Sequence, residues 1–408
     1  MALATVLNIK QRREHNKEVA QEVRMVADKG MDARMEGIIA TRNPPTNTPK
    51  AARVAVRGAA IIAESPTSQQ ATHRHWERQG RLANGFLAQT RFHNAPIVTA
   101  ISTRMKTQLS ILIPTYNYVC LPLVRELHKQ ASEMGGLEFE ILVAEDGSDQ
   151  PDDIARNAEI TALSHCKHIV REENVGRAAI RNHLADMANM PWLLFIDSDM
   201  RVVSPHFVER YLQTPDEWGV VYGGNTTNGG AWNDERLLKV RYEQAAERQF
   251  TPQQRAKRPN QNLNTSNIFV SKRVMQAVPF DSRFLTYGYE DVFWGMSLAQ
   301  KGIEVAHIDN PVGFNHYDSN VVFVGKTIEG LHTLYTFRSE LADFSPIVRL
   351  ERRLRRWRLD GAVRSVLNKL MPLLHRRIIG FKPSLVAFKL FKLCTYLHIA
   401  HTDAASKA

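Results

Sequence analysis

The chain is poor in cysteine. Cys120, Cys166 and Cys394 are the only three in 408 residues. They are widely spaced and form no CxxC pair, which argues against a disulfide framework or a zinc site and suits a reducing compartment. No run of about twenty apolar residues is present to span a bilayer as one helix. No apolar core follows the first charges, so no signal peptide is expected and a cytoplasmic location is the default. Acidic residues are also in deficit. Against 53 Lys and Arg stand 42 Asp and Glu, a formal charge of +11 with a pI near 9.6. Such a balance points to an anionic partner: nucleic acid, a membrane surface or a phosphorylated ligand. The basic N-terminal stretch lacks aromatics interleaved with its charges, so nucleic acid is not expected there.

Three regions follow from composition. Residues 1–104 have short apolar runs broken by Asn43-Pro44-Pro45 and Glu64-Ser65-Pro66, and are expected to be mostly disordered. Met105 leads straight into a strand and is a candidate natural start. From Leu109 β-rich runs (Leu109 to Ile113, Phe139 to Ala144, Lys167 to Val170, Trp192 to Ile196) alternate with helical patterns at Val119 to Met134 and Val175 to Met190. That alternation predicts an α/β domain over 105–345 with a mixed, mainly parallel sheet flanked by helices. Further strands are expected at Gly219 to Gly224 and Asn267 to Val270, and a charged helix at Asp234 to Phe250. The polar, Pro-bearing stretch Gln249 to Asn264 reads as a mobile lid. Residues 346–408 read as a basic, amphipathic, helical tail.

Ligands of such sheets bind beyond the carboxyl ends of the strands. Those ends deliver Pro114-Thr115-Tyr116-Asn117, Glu145-Asp146-Gly147-Ser148 and Asp197-Ser198-Asp199. A lone Asp-x-Asp is usually a solvated turn; three polar strand ends at one sheet edge are a site. Carboxylates one residue apart can reach a hard divalent metal, which neutralises a departing diphosphate. A carboxylate at the second strand end can accept the N–H of a uracil or guanine ring. The first strand is not followed by Gly-x-Gly-x-x-Gly, so a nicotinamide cofactor is not expected. Arg177 and Arg181 lie four apart on one helix face and could grip a diphosphate, or form a solvated basic face. In Gly288-Tyr289-Glu290-Asp291 adjacent carboxylates sit among aromatics. Desolvation there raises basicity and suits a general base, while a helix start accounts for the same residues. His316 could be a further metal ligand, although a lone histidine is more often structural.

Together, Ser110-Ile111-Leu112-Ile113-Pro114-Thr115-Tyr116-Asn117, Glu145-Asp146-Gly147-Ser148, Asn174-Val175-Gly176 with Arg181-Asn182, Asp197-Ser198-Asp199 and Gly288-Tyr289-Glu290-Asp291 resemble glycosyltransferase family 2. The resemblance covers about half the chain and implies a GT-A nucleotide-diphospho-sugar transferase fold and inverting transfer. It implies nucleotide-sugar contacts from Pro114, Tyr116, Glu145, Asp146, Arg177, Arg181, Asp197 and Ser198. Asp199 would hold Mn²⁺ or Mg²⁺, Asp291 would be the base and Glu290 would orient it. The segment from Gly288 also resembles the Gly-Gly-Glu-Asp stretch of galactosyltransferases, in which a later histidine joins the metal, here His316. Glu145 stands where the family usually has Asp, and Tyr289 replaces a glycine. The expected partners are a nucleotide-sugar donor, a glycan or lipid-linked acceptor and an anionic membrane, the last through the tail with Trp357, Phe388 and Phe391 inserting. The location is then the inner face of the cytoplasmic membrane. The rival readings are a sugar nucleotidyltransferase, which usually needs a Gly-rich basic loop after strand one, and an inactive carbohydrate-binding or scaffold protein.

Overall fold

The computed structural model describes residues 105–229 and 233–406. The expectations for residues 1–104 lie outside the described residues.

Strands β1 (Gln108–Thr115), β2 (Glu138–Glu145), β3 (Cys166–Val170) and β4 (Trp192–Ile196) form where the apolar runs predicted them, separated by helices α1 (Leu121–Glu133), α2 (Pro151–Ala158) and α3 (Arg177–Met187). Then come β5 (Met200–Val202), α4 (Phe207–Leu212), β6 (Val220–Tyr222), β7 (Asn225–Thr226), α5 (Leu238–Gln249), α6 (Pro252–Arg255), β8 (Asn267–Ser271) and α7 (Lys272–Ala277). The chain continues with α8 (Glu290–Gln300), β9 (Ala306–His307), β10 (Val312–Phe314), α9 (Asn320–Thr336), α10 (Pro346–Arg356), α11 (Asp360–Ile379) and α12 (Leu385–Ser406). The main sheet runs β3-β2-β1-β4-β8-β6-β9. It is parallel except at β8, which lies antiparallel between β4 and β6. A second, three-stranded sheet, β5-β10-β7, was not foreseen, because its strands are only two or three residues long.

Strand alternation sends successive side chains to opposite faces. Leu112, Leu142, Leu193 and Phe195 face one layer, shared with Trp294 of α8 and Leu331 of α9. Ile111, Ile113, Val143 and Leu194 face the other, shared with Val124 of α1 and Tyr211 of α4. Apolar material on both faces explains why the strands read as continuous runs rather than alternating ones.

Two expectations are corrected. The stretch 249–264 is not a free lid. Arg255 is buried, and its Nη2 donates to the Ile308 carbonyl at 2.9 Å while Asn260 Nδ2 donates to the Ile303 carbonyl at 2.8 Å. These side chains satisfy the carbonyls flanking β9 and pin the segment down. Nor is the tail a separate appendage. Val348, Tyr396, Ile399 and Ala400 belong to the main core, and Phe388 and Phe391 are buried with Leu238, Val324, Leu374 and Ile378. Of the three aromatics expected to insert into a membrane, only Trp357 is open, at 61 % exposure. Among the described residues no helix is long and apolar enough to cross a membrane.

Candidate functional site

The parallel strands β1, β2 and β4 end at one edge, and the loops that leave them are tied together there. Asp146, just past β2, accepts the backbone N–H groups of Val175 and Gly176 at 2.9 and 3.0 Å on its two carboxylate oxygens. Burial raises its pKa, and those two hydrogen bonds oppose the rise. Gly147 allows this contact: its φ is +69°, and a Cβ there would lie 2.3 Å from the Asn174 nitrogen. Tyr116 is half open beyond β1 and half-buried Pro114 lies beside it.

Glu145 is placed differently from expectation. It is fully enclosed and accepts from Ser148 at 2.5 Å and Asn157 at 2.8 Å, with His168 Nε2 at 3.1 Å. Burial works against ionisation, but these partners hold its carboxyl below the usual range. Ser148 in turn accepts the Asn117 N–H at 2.9 Å, so Glu145 fixes the loop around the cleft and does not face it.

Arg181 is likewise inward. Its side chain is 1 % exposed, with Nη2 at 2.6 Å from Asp197 Oδ1, Nη1 at 3.7 Å from Glu290 Oε1 and Nη1 donating to the Arg177 carbonyl at 3.2 Å. It therefore joins the end of β4 to the start of α8. Being sealed in, it is not free to grip a diphosphate from the cleft. Arg177, one turn earlier, is exposed and rests over the Tyr287 ring at 4.7 Å. Loss of water around the guanidinium head, which lies against the protein although the residue as a whole is exposed, would lower its pKa, but the charges of Glu290, Asp197, Tyr287 and Asp199 outweigh that and raise it. This guanidinium is the one that faces the carboxylates from the open side.

Asp291 occupies the first turn of α8, entered through Gly288 and Tyr289, both with positive φ (95° and 69°). The turn is held from α9. The Tyr287 N–H donates to Glu329 Oε1 at 3.0 Å, Thr333 Oγ1 donates to the Tyr287 carbonyl at 2.9 Å, and Gly330 leaves a Cβ on Gly288 only 3.2 Å from its own Cα. Asp291 is half-buried, and loss of water together with the charge of Glu290 pushes it up to about 7; Arg181 and Arg177 oppose the rise. A carboxylate so raised is poised to take a proton near neutral pH.

Asp199 and His316 are brought together by the second sheet, since the Asn315 N–H donates to the Asp199 carbonyl at 3.0 Å. His316 stacks on Tyr118 with ring centroids 5.8 Å apart, and its Nε2 lies 3.9 Å from Asp318 Oδ1. Ser198 and Asp199 are half-buried between β4 and β5. Among the described residues no three His, Cys, Asp or Glu gather as a metal cage. Asp199 and His316 could therefore hold a divalent cation only together with ligands from outside the protein, an arrangement Mg²⁺ accepts.

Sequence reasoning missed Tyr287, Tyr118, Asn315 and Glu243. The last lies half-buried in the charged helix α5, pushed up to about 7 by burial, with Lys239 opposing and Glu247 adding. The charges of Glu243 and Asp291 both act to raise the pKa values of Tyr222, Tyr242 and Tyr287. Nothing distinguishes Glu243 from the solvated acids around it in the sequence.

One sheet edge thus carries Asp197-Ser198-Asp199 and the enclosed carboxylate of Asp146, with the raised carboxyl of Asp291 at the start of α8. The model of the family described as Glycosyl transferase family 2 matches residues 110–280. Similar solved structures include the mannosyltransferase PcManGT from Pyrobaculum calidifontis, in complex with GDP-Man and Mn²⁺. It is 16 % identical, with a TM-score of 0.46, over 72 % of this chain and 86 % of that one. Residues 1–349 of S. aureus TarS are 17 % identical (TM-score 0.39), over 73 % of this chain and 92 % of that one. Glucosyl-3-phosphoglycerate synthase from Mycobacterium tuberculosis, with Mn²⁺ and UDP, is 16 % identical (TM-score 0.38), over 56 % and 79 %. No curated protein sequence matches the chain.

Proposed function

We propose that this protein transfers a sugar, with inversion, from a UDP-linked donor to a hydroxyl of a glycan or lipid-linked acceptor, assisted by Mn²⁺ or Mg²⁺. The observation that carries the reading is Asp291, a carboxyl raised to about 7, opening a helix on the cleft into which Asp197, Asp199 and Arg177 converge. Pro114, Tyr116 and Asp146 line the base end. Arg177 meets the diphosphate, with Asp199 and His316 holding the cation against it. The cation, when bound, neutralises charge on the leaving diphosphate. Asp291 takes the proton of the acceptor hydroxyl as that oxygen attacks the sugar carbon from the side opposite the diphosphate. Glu290, tethered through Arg181 to Asp197, keeps the base and the diphosphate end in register. The same reading places the enzyme at the inner face of the cytoplasmic membrane.

The test is a screen of nucleotide-sugars for thermal stabilisation of the full chain, with and without Mn²⁺. A donor that binds at a hundred times its Kd adds about 2.7 kcal/mol. Stabilisation by UDP-sugars only when Mn²⁺ is present supports the reading. Indifference to every nucleotide-sugar overturns it.

A further inference from the structure

Helix α11 has two apolar faces and only one is used. Leu367, Leu374 and Ile378 are buried in the domain, whereas Val366, Leu370 and Leu373 are 59, 40 and 55 % exposed. Spacings of four and three place those three on one stripe. A solvated helix would carry polar groups there. The apolar surface continues past the helix end to Phe381 and Val386, 70 and 68 % exposed. Arg377 extends the stripe, and Lys369 and Arg376 flank it, all three exposed. Over residues 346–392 thirteen Lys and Arg oppose only Glu351 and Asp360, an excess as large as the formal charge of the whole chain, +11.

We propose that this face docks on an anionic lipid surface, with α11 lying in the interface plane. From Val366 to Arg377 the stripe is about 16 Å long. An anionic leaflet offers it negative charge and an apolar interior together. A second copy of the chain would offer the same excess of positive charge within about a Debye length, roughly 8–10 Å. The docked face is tied to the segment that follows His316. Arg236 lies over the Phe381 ring at 5.6 Å, and its carbonyl accepts from Asn320, four residues beyond His316, at 2.9 Å. The inference rests on the membrane part of the functional reading and not on sugar transfer, so vesicle binding and donor turnover can fail separately.

The experiment is co-sedimentation of the full chain with vesicles of equal parts phosphatidylcholine and phosphatidylglycerol, and with phosphatidylcholine alone, at low and high salt. Binding should be strong to the first, weak to the second and reduced by salt. Leu370→Gln with Leu373→Gln should weaken it by roughly tenfold or more. Lys369→Glu with Arg376→Glu and Arg377→Glu should weaken it by on the order of a hundredfold. Both variants alter exposed positions and should melt like the parent. The proposal is overturned if the parent ignores anionic vesicles or if the leucine variant binds as the parent does. It is equally overturned if the parent self-associates without lipid through these leucines.

Discussion

Arg181→Met separates two roles for one guanidinium. In the structure the group is 1 % exposed and spans Asp197 and Glu290, at 2.6 and 3.7 Å. Methionine fills much of the same space but leaves both carboxylates without their shared partner. Breaking a buried pair this way costs roughly 3–5 kcal/mol. Asp197 is 19 % exposed and can recover some hydration, so the lower end applies. About 3 kcal/mol corresponds to a fall in melting temperature of roughly 6–12 °C for a domain of this size. Urea unfolding should show the same loss as a lower midpoint with an unchanged slope. Arg181→Lys should recover only part of it, since an ammonium cannot fork to two carboxylates. If Arg181→Met unfolds like the parent while its UDP affinity drops, the guanidinium reaches the diphosphate and the internal role assigned to it is wrong.

Asp291→Asn should retain donor binding and lose transfer by roughly a hundredfold or more, in single-turnover assays; near-normal turnover would move the base to Glu290. With Asp291 raised to about 7, kcat/KM of the parent should climb as pH rises through that value, because the base form appears above it. The residual activity of the asparagine variant should lack that limb. The same group makes folding less favourable as pH rises from the ordinary carboxylate range through about 7, because the unfolded state releases the proton first. Asp291→Asn should therefore lessen the fall of urea stability over that window, with Glu243, also raised to about 7, supplying part of what remains. Asp199→Ala should abolish Mn²⁺-dependent UDP binding, read by calorimetry, while leaving the thermal melt unchanged. Shortening the chain after Ser345 should uncover Val348, Tyr396 and Ile399 partners in the main core and give a soluble yield or melt well below the parent's; an unchanged melt would make the C-terminal helices dispensable.

The sheet was legible because β1, β2 and β4 bury both faces and so spell continuous apolar runs, and because their polar ends arrive in order. Asp146 and Asp199 could be singled out for the same reason, since each follows a strand whose direction the pattern fixes; Asp291 stood out instead as one of two adjacent carboxylates among aromatics. What sequence could not show is which side of an element a charge takes. Glu145 and Arg181 sit beside genuine cleft residues yet turn inward, since their partners (Asn157 and His168, Asp197 and Glu290) are distant in sequence. The tail misled by the same route. Apolar residues recur on more than one face of α11 and α12, and only packing against α5 and α9 decides that Phe388 is buried while Leu373 is open. The short strands β5, β7 and β10 carry too few residues for any period to register, although they bring Asn315 to Asp199.

The most direct measurement is nucleoside diphosphate release from a panel of nucleotide-sugars by the full chain, with Mn²⁺ and with chelator, alongside Asp291→Asn and Asp199→Ala. UDP released from a UDP-sugar, stopped by chelator and by either substitution, is the predicted result. Absence of release from every donor, by a chain that still binds glycans, would contradict the account and leave a carbohydrate-binding protein in its place.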